Sequence, residues 1–267
     1  MDKETLRKLQ MVELSILIDI DAFCRKHEIN YSLYGGTALG AVRHHGFIPW
    51  DDDVDICMIR NDYDRFLSLW RKERPKGYYL QGTDDRANRE SHSKIRKEGT
   101  LYCSREELKE QGCHGIWVDV FVLDKVPEKN GKARKRIVRA AAIRAVYTRR
   151  YPYTKGSKRL YYLSKIMLLL PERLQIIVIK KCNQKITKYK DMETGYYPKS
   201  NASVGAVLNS RLPADMMKRF TDIDFEGKKL MITAIYDEYL KCDFGDYMTL
   251  PPEEKRICIH EAEIIKL

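Results

Sequence analysis

Between residues 34 and 56 the chain reads YGGTALGAVRHHGFIPWDDDVDI, and no other stretch constrains its fold as strongly. A paired-glycine turn, Gly35-Gly36, is set beside the four carboxylates of Asp51, Asp52, Asp53 and Asp55. Alternate residues of an extended strand share a face. Asp51, Asp53 and Asp55 are therefore expected to converge, with Asp52 pointing the other way in a structural role. Carboxylates that close repel unless a cation or a shared proton compensates. Hard oxygen donors suit Mg²⁺ or Mn²⁺, commonly held by one or two carboxylates plus substrate phosphates. Glycines let a backbone approach phosphate oxygens closely. The stretch reads as a metal-phosphate site.

Each half alone has a plainer reading. A Gly-Gly pair is an ordinary turn, and an acidic run is a solvated loop or a calcium site. A second segment weighs against both. Residues 116–123 read IWVDVFVL, an apolar strand interrupted by Asp119 alone. A carboxylate inside such a strand is unfavourable to bury without a partner. Asp119 is thus the natural third ligand for a cation at Asp53 and Asp55.

Periodicity supplies the surroundings. Leu6, Leu9, Val12, Ile16, Ile20 and Phe23 recur at helical steps. A strand over 31–34 leads into the glycines, and Thr37 is placed to cap a helix reaching Arg43. A strand follows over 53–59, and Asn61 or Asp62 can cap the next helix, to Trp70. Further strands are expected near 78–80, 94–96 and 116–123. After Pro127 the texture changes to basic and apolar residues in alternation, with helices over about 132–150, 158–170 and 172–190.

A Gly-Gly turn before a helix, an Asp-x-Asp strand and an apolar strand with one Asp resemble the layout of the nucleotidyltransferase fold. Residues 34–56 resemble the signature of the LicD family, the phosphocholine transferases of bacterial surface glycans and their distant fukutin-related relatives. Lys94-Ile95-Arg96, HGIWVDVFVLD at 114–124, YDEYL at 236–240 and FGDYMTLPPEEKR at 244–256 are similar to further family blocks. The resemblance covers about 31–124 and 220–260. It implies an α+β, nucleotidyltransferase-like mixed sheet flanked by helices. It implies a catalytic core of 1–127 and 196–267, with a basic helical insertion over 128–195. The implied reaction moves phosphocholine, or another phospho-alcohol, from a CDP-activated donor to a hydroxyl of a glycan or teichoic acid precursor. CDP-choline is the favoured donor, CMP leaves, and Mg²⁺ or Mn²⁺ bridges the pyrophosphate. By motif position Asp53, Asp55 and Asp119 become metal ligands, with Asp51 a nearby helper. Gly35, Gly36 and Thr37 become donor-phosphate contacts. Trp117 stands where a smaller apolar residue is commoner, an effect expected on packing more than chemistry.

Other residues carry two readings each. Arg43, Lys94 and Arg96 can neutralise pyrophosphate charge or serve as structural cations. Trp50 can stack on cytosine or a choline-like cation, or brace the turn after Pro49 from the core. Tyrosines near 78–79, 147–153 and 161–162 can build a choline cage. His44, His45 and His114 read as structural.

Charge separates the middle of the chain from the rest. Residues 125–190 hold 20 Lys and Arg against 2 Asp and Glu, a segment charge of +18. With a chain total of +11, the remainder carries −7. Three readings follow for the basic segment: solvated helix faces, a nucleic-acid surface, or docking to an anionic membrane. The last suits a lipid-linked glycan acceptor and a cytoplasmic enzyme on the inner membrane face. Transfer of the nucleotide itself is the second enzymatic reading, and a basic nucleic-acid-binding protein the non-enzymatic one. Seven scattered cysteines without a CxxC pair fit free thiols in a reducing compartment. The N-terminal residues lack the pattern of a signal peptide.

Overall fold

The computed structural model describes the chain except residues 84, 86, 87, 89, 110, 111, 128–130, 151, 153–157, 193, 194, 200–203, 210, 259 and 261. In chain order the elements are α1 (Lys3–Lys26), β1 (Ser32–Leu33), α2 (Gly35–His44), β2 (Asp55–Ile59), α3 (Arg60–Glu73), β3 (Tyr78–Gln81), β4 (Ser93–Lys97), β5 (Leu101–Cys103) and β6 (Trp117–Leu123). There follow α4 (Gly131–Arg149), α5 (Lys158–Met167), α6 (Glu172–Ile186), α7 (Val204–Asn209), β7 (Phe220–Phe225), β8 (Lys228–Thr233), α8 (Tyr236–Phe244) and β9 (Ile264–Lys266). They form two compact units. The first comprises 1–87, 92–122 and 215–267; the second comprises 88–91 and 123–214. The insertion read from sequence, 128–195, falls within the second unit, which also takes in residues up to 214.

The first unit is a mixed α/β assembly around a five-stranded sheet of order β1-β2-β6-β4-β3. Asp2 caps α1, accepting from the Thr5 N–H at 2.8 Å. One face of α1 buries Leu6, Leu9, Ile16, Leu17, Ile20 and Phe23. Phe23 meets Trp70 of α3 edge-on at 4.8 Å, extending the core across Phe66. Strand β2 runs directly into α3. That helix starts at Arg60 with Ile59 in the capping position and no side-chain cap. Asn61 and Asp62, expected as caps, lie in its first turn because no residue is left over between strand and helix. Between β7 and β8 the chain turns at Glu226 and Gly227, both at positive φ, which suits the right-handed twist of a tight hairpin.

In the second unit, α4 and α6 share a core with Val126, Ile137, Ala140, Ala141, Cys182, Ile186, Tyr196 and Val207. The bridges Val126–Tyr196 and Tyr197–Leu212 close it. The seven cysteines are free thiols. Among the described residues, no helix is long and apolar enough to cross a membrane.

Candidate active site

In the first unit, the start of α2 packs against the residues that lead into β2. Gly35 opens α2 with φ +54°, and its N–H donates to the Tyr239 hydroxyl of α8 at 2.8 Å. A Cβ on Gly36 would stand 2.6 Å from Asp51 Oδ2, and one on Gly35 would stand 2.9 Å from Asp55 Oδ2. Two carboxylates therefore lie against the first turn of the helix, at the positive end of its dipole. Only residues without a side chain leave room for them. Thr37 does not cap α2 as its spacing predicted. The left-handed Gly35 starts the helix three residues earlier, with Tyr34 in the capping position. The Thr37 hydroxyl instead accepts from the Asp55 N–H at 2.8 Å, pinning the first residue of β2 to α2.

The carboxylates alternate as expected, with Asp51, Asp53 and Asp55 half-buried and Asp52 and Val54 fully buried between them. Strand β2 begins only at Asp55, and just before it the Val54 carbonyl accepts from the Asp119 N–H of β6 at 2.8 Å. Tertiary contacts shape this run. The Asp51 N–H donates to the Ile48 carbonyl at 2.9 Å, and Gln10 Nε2 holds the Asp51 carbonyl at 2.9 Å. Asp52 is buried elsewhere, accepting from the Tyr102 hydroxyl and the His260 N–H at 3.0 Å each, in the structural role expected of it.

Electrostatics show that Asp51, Asp53 and Asp55 remain neighbours. Burial, then the charges of Asp53 and Asp52, push the Asp51 carboxyl up to about 8. Burial also raises Asp53. Burial and repulsion from Asp53 and Asp119 hold Asp55 well above the carboxylate range. A divalent cation relieves both desolvation and repulsion in such a set. The hard oxygens of Asp51, Asp53 and Asp55 thus fit Mg²⁺ or Mn²⁺ chemically.

Asp119 is arranged differently. Burial alone would raise it, but the Lys94 ammonium, His92 and Trp117 outweigh that and hold it well below the carboxylate range. Lys94 Nζ and His92 Nε2 lie 3.1 and 2.9 Å from Oδ1, and Trp117 Nε1 donates to Oδ2 at 2.9 Å. The β4–β6 register, which pairs Lys94 with Asp119 and Arg96 with Trp117, sets this up. Lys94 and Arg96 also stack on the Trp117 ring, 4.2 and 4.7 Å from its centre. The bulk at position 117, expected to affect packing more than chemistry, contacts the carboxylate and both cations. Among the described residues, no three His, Cys, Asp or Glu side chains stand in the arrangement of a formed metal site.

The remaining candidates form a separate group or brace the fold. Arg96 donates to Gln81 Oε1 at 2.7 Å and to the Gly115 carbonyl at 2.8 Å. Arg43 Nη1 donates to the Tyr247 carbonyl at 2.8 Å, and its Nε bonds His44 Nε2 at 3.0 Å. Trp50 is half-buried, not a core residue, with the Arg256 guanidinium 5.6 Å from its ring and His44 edge-on at 6.2 Å. Arg43, His44, Trp50 and Arg256 so make a basic and aromatic group. Of the tyrosines considered for a cage, Tyr78 is buried with its hydroxyl on Asp19, and Tyr161 and Tyr162 stand on α5. Tyr151 and Tyr153 lie outside the described residues.

The sequence reading missed Glu13. It is 2% exposed on α1, and its Oε2 has no hydrogen-bond partner among the described residues. Burial, then Asp53 and Asp52, push its carboxyl well up. Its signal was a charged residue on the buried stripe of α1. His92 and His260 had no local signal, and Tyr239, although inside the YDEYL block, had none for its contact with Gly35. Tyr239→Phe is expected to leave the Gly35 N–H without its acceptor and cost about 1–2 kcal/mol. The urea midpoint measures this, and an unchanged midpoint would show that the bond is replaceable.

Residues 28–135 match the family model "LicD/FKTN/FKRP, nucleotidyltransferase domain". A glycine turn packed on buried carboxylates accords with a domain of that class. Compared with the lipopolysaccharide cholinephosphotransferase LicD of Haemophilus influenzae, the chain is 31% identical over 275 residues, covering 99% of this chain and 100% of that protein. The chain belongs to the LicD family. An uncharacterised protein of Rickettsia typhi is 34% identical over 80 residues, covering 30% of this chain and 24% of that protein.

Proposed function

We propose that this protein transfers phosphocholine from CDP-choline to a hydroxyl of a cell-surface glycan precursor, on a nucleotidyltransferase-type fold. The end-to-end similarity to a cholinephosphotransferase carries this reading. The buried aspartates against the glycine turn support phosphate chemistry at that place. The acceptor hydroxyl oxygen attacks the choline-bearing phosphorus, and the bond from that phosphorus to the bridging oxygen breaks. CMP leaves with the bridging oxygen, and the hydroxyl proton passes to a nearby carboxylate.

Asp53 and Asp55 would hold Mg²⁺, with Asp51 beside them; Asp119 would serve as the further ligand by giving up its Lys94 and His92 contacts. The ion supplies charge neutralisation on the pyrophosphate. Gly35, Gly36 and Thr37 bound the donor phosphates at the start of α2, where backbone N–H groups favour anions. Lys94 and Arg96 add positive charge from β4, so that a pyrophosphate meets preorganised cations as its leaving group develops charge. Trp50 and Arg43 offer a ring face and a guanidinium to the cytidine or choline end. The acceptor is a glycan, soluble or lipid-linked, and the enzyme works on the cytoplasmic face of the membrane without spanning it.

Incubating the protein with CDP-choline labelled in the choline, Mg²⁺ and a glycan acceptor tests the proposal. Labelled glycan plus one CMP per transfer is expected, with loss of turnover in EDTA. The family model's description also favours a second reading, transfer of the nucleotide itself. Cytidine on the glycan and released phosphocholine would establish that reading and overturn the first.

A further inference from the structure

The second unit settles which basic helices pack inward. Helix α4 buries Ile137, Ala140, Ala141 and Tyr147. Helix α5 buries Ser164 alone, and α6 buries only Cys182 and Ile186 near its C-terminal end. From Leu160 to Ile177 large apolar side chains stand in solvent, no two successive ones more than four residues apart. Leu163 and Ile166 lie on α5, Leu174 and Ile177 on α6, and Leu169 between them is 79% exposed, the most of any large apolar residue. Gln175 Nε2 holds the Leu170 carbonyl at 2.8 Å and the Leu168 carbonyl at 3.3 Å, fixing the turn that presents Leu169. Residues 158–185 carry seven Lys and Arg and one Glu.

We infer that the α5–α6 segment is the membrane-docking element, inserting its exposed apolar side chains among the headgroups of an anionic leaflet. The inference rests on the membrane-face reading above and assigns it to particular residues. Exposed large apolar side chains gathered in one segment mark an interaction site. Basic residues beside aliphatic ones are the composition of a segment lying in an anionic interface. A second copy of the chain is a poor occupant, because a two-fold contact sets the same patch against itself and opposes seven like charges. Nucleic acid accounts for the charge but gives the exposed leucines and isoleucines nothing to bury against.

Flotation of the full chain with vesicles of phosphatidylcholine plus phosphatidylglycerol, against phosphatidylcholine alone, tests the inference. Binding to the anionic vesicles, weakened by salt, is expected. A combined Leu163→Ser, Ile166→Ser and Leu169→Ser variant is expected to bind at least roughly tenfold more weakly, because three exposed apolar anchors are lost. The pair Lys165→Glu and Arg173→Glu is expected to weaken binding and flatten its salt dependence. Equal flotation of the triple variant and the parent overturns the inference, as does no flotation at low salt. So does a concentration-dependent dimer that the triple variant abolishes. Transfer to a water-soluble acceptor without vesicles keeps the two readings apart. The triple variant leaves that rate unchanged, and absence of transfer in the parent counts against the chemistry but not the docking.

Discussion

Asp55→Asn is expected to lower kcat/KM for phosphocholine transfer by about a thousandfold or more, while making the metal-free protein more stable at pH 8. Both effects have one cause. Burial and the neighbouring Asp53 and Asp119 hold the Asp55 carboxyl well above its ordinary value, so its ionised form opposes folding. A group whose folded pKa is raised adds stability below its unfolded value and loses it as pH rises through its folded one. Asp51, raised from 3.8 to about 8, sets the same window. In EDTA, the parent protein should therefore lose stability as pH climbs from about 4 to about 8. Asn at 55 removes part of that loss, and the slope of Tm against pH becomes shallower. Asp119 has the opposite sign. Its lowered pKa gives stability above its unfolded value that is lost only in stronger acid. Mg²⁺ should raise the Tm of the parent and not of the Asn variant, since a ligand stabilises the state that binds it. Calorimetry across pH with and without Mg²⁺ reads all three. A variant both inactive and less stable at pH 8 would mark Asp55 as a folding residue and remove it from the site.

Gly40→Ala is expected to destabilise the protein by roughly 3 kcal/mol, although alanine outranks glycine by about 1 kcal/mol inside a helix. Gly40 lies within α2. A Cβ there would stand 2.5 Å from the Gly46 carbonyl oxygen and 3.2 Å from the Ile48 N. Both neighbours are backbone, so neither can rotate away. The loop from Gly46 to Ile48 would have to lift off α2, and it leads straight to Asp51. Activity should therefore fall together with the urea midpoint. An alanine variant with parental stability and activity would show that the loop yields freely and does not place the aspartates.

Much of the site was legible in one dimension. The glycine turn, the aspartate run and the lone Asp119 are recognisable because phosphate and cation chemistry demand those residue types. Burying Asp119 in an apolar strand was correctly read as needing partners. The partners themselves were not legible. Cross-strand register sets Lys94 on Asp119, and His92 arrives from just before β4, whereas Trp117 reaches it from two residues earlier on the same strand. Strand pairing starts only at Asp55, yet the side chains alternate through 51–55 as the spacing predicted: Asp51, Asp53 and Asp55 stay half-buried and repel one another, while Asp52 turns to Tyr102 and His260. Glu13 was overlooked because a charge within an apolar helical stripe is discounted when only the apolar residues are followed.

The basic segment shows the same division. Its charge and helices follow from composition and periodicity, since both are sums over neighbouring residues. Which apolar faces are covered is a property of packing between segments, and the periodicity of α4 and α5 alone does not distinguish them. The residue types for metal and phosphate chemistry, and the family, are determined by the sequence itself, through types and spacings that survive without coordinates. The tertiary structure decided that Asp51 and Asp55 rest on the glycines of α2, that Lys94 occupies Asp119, and that α5 faces solvent. The first two are contacts between separate segments and the third is a face left without one, all fixed only when strand register and core packing bring the segments together.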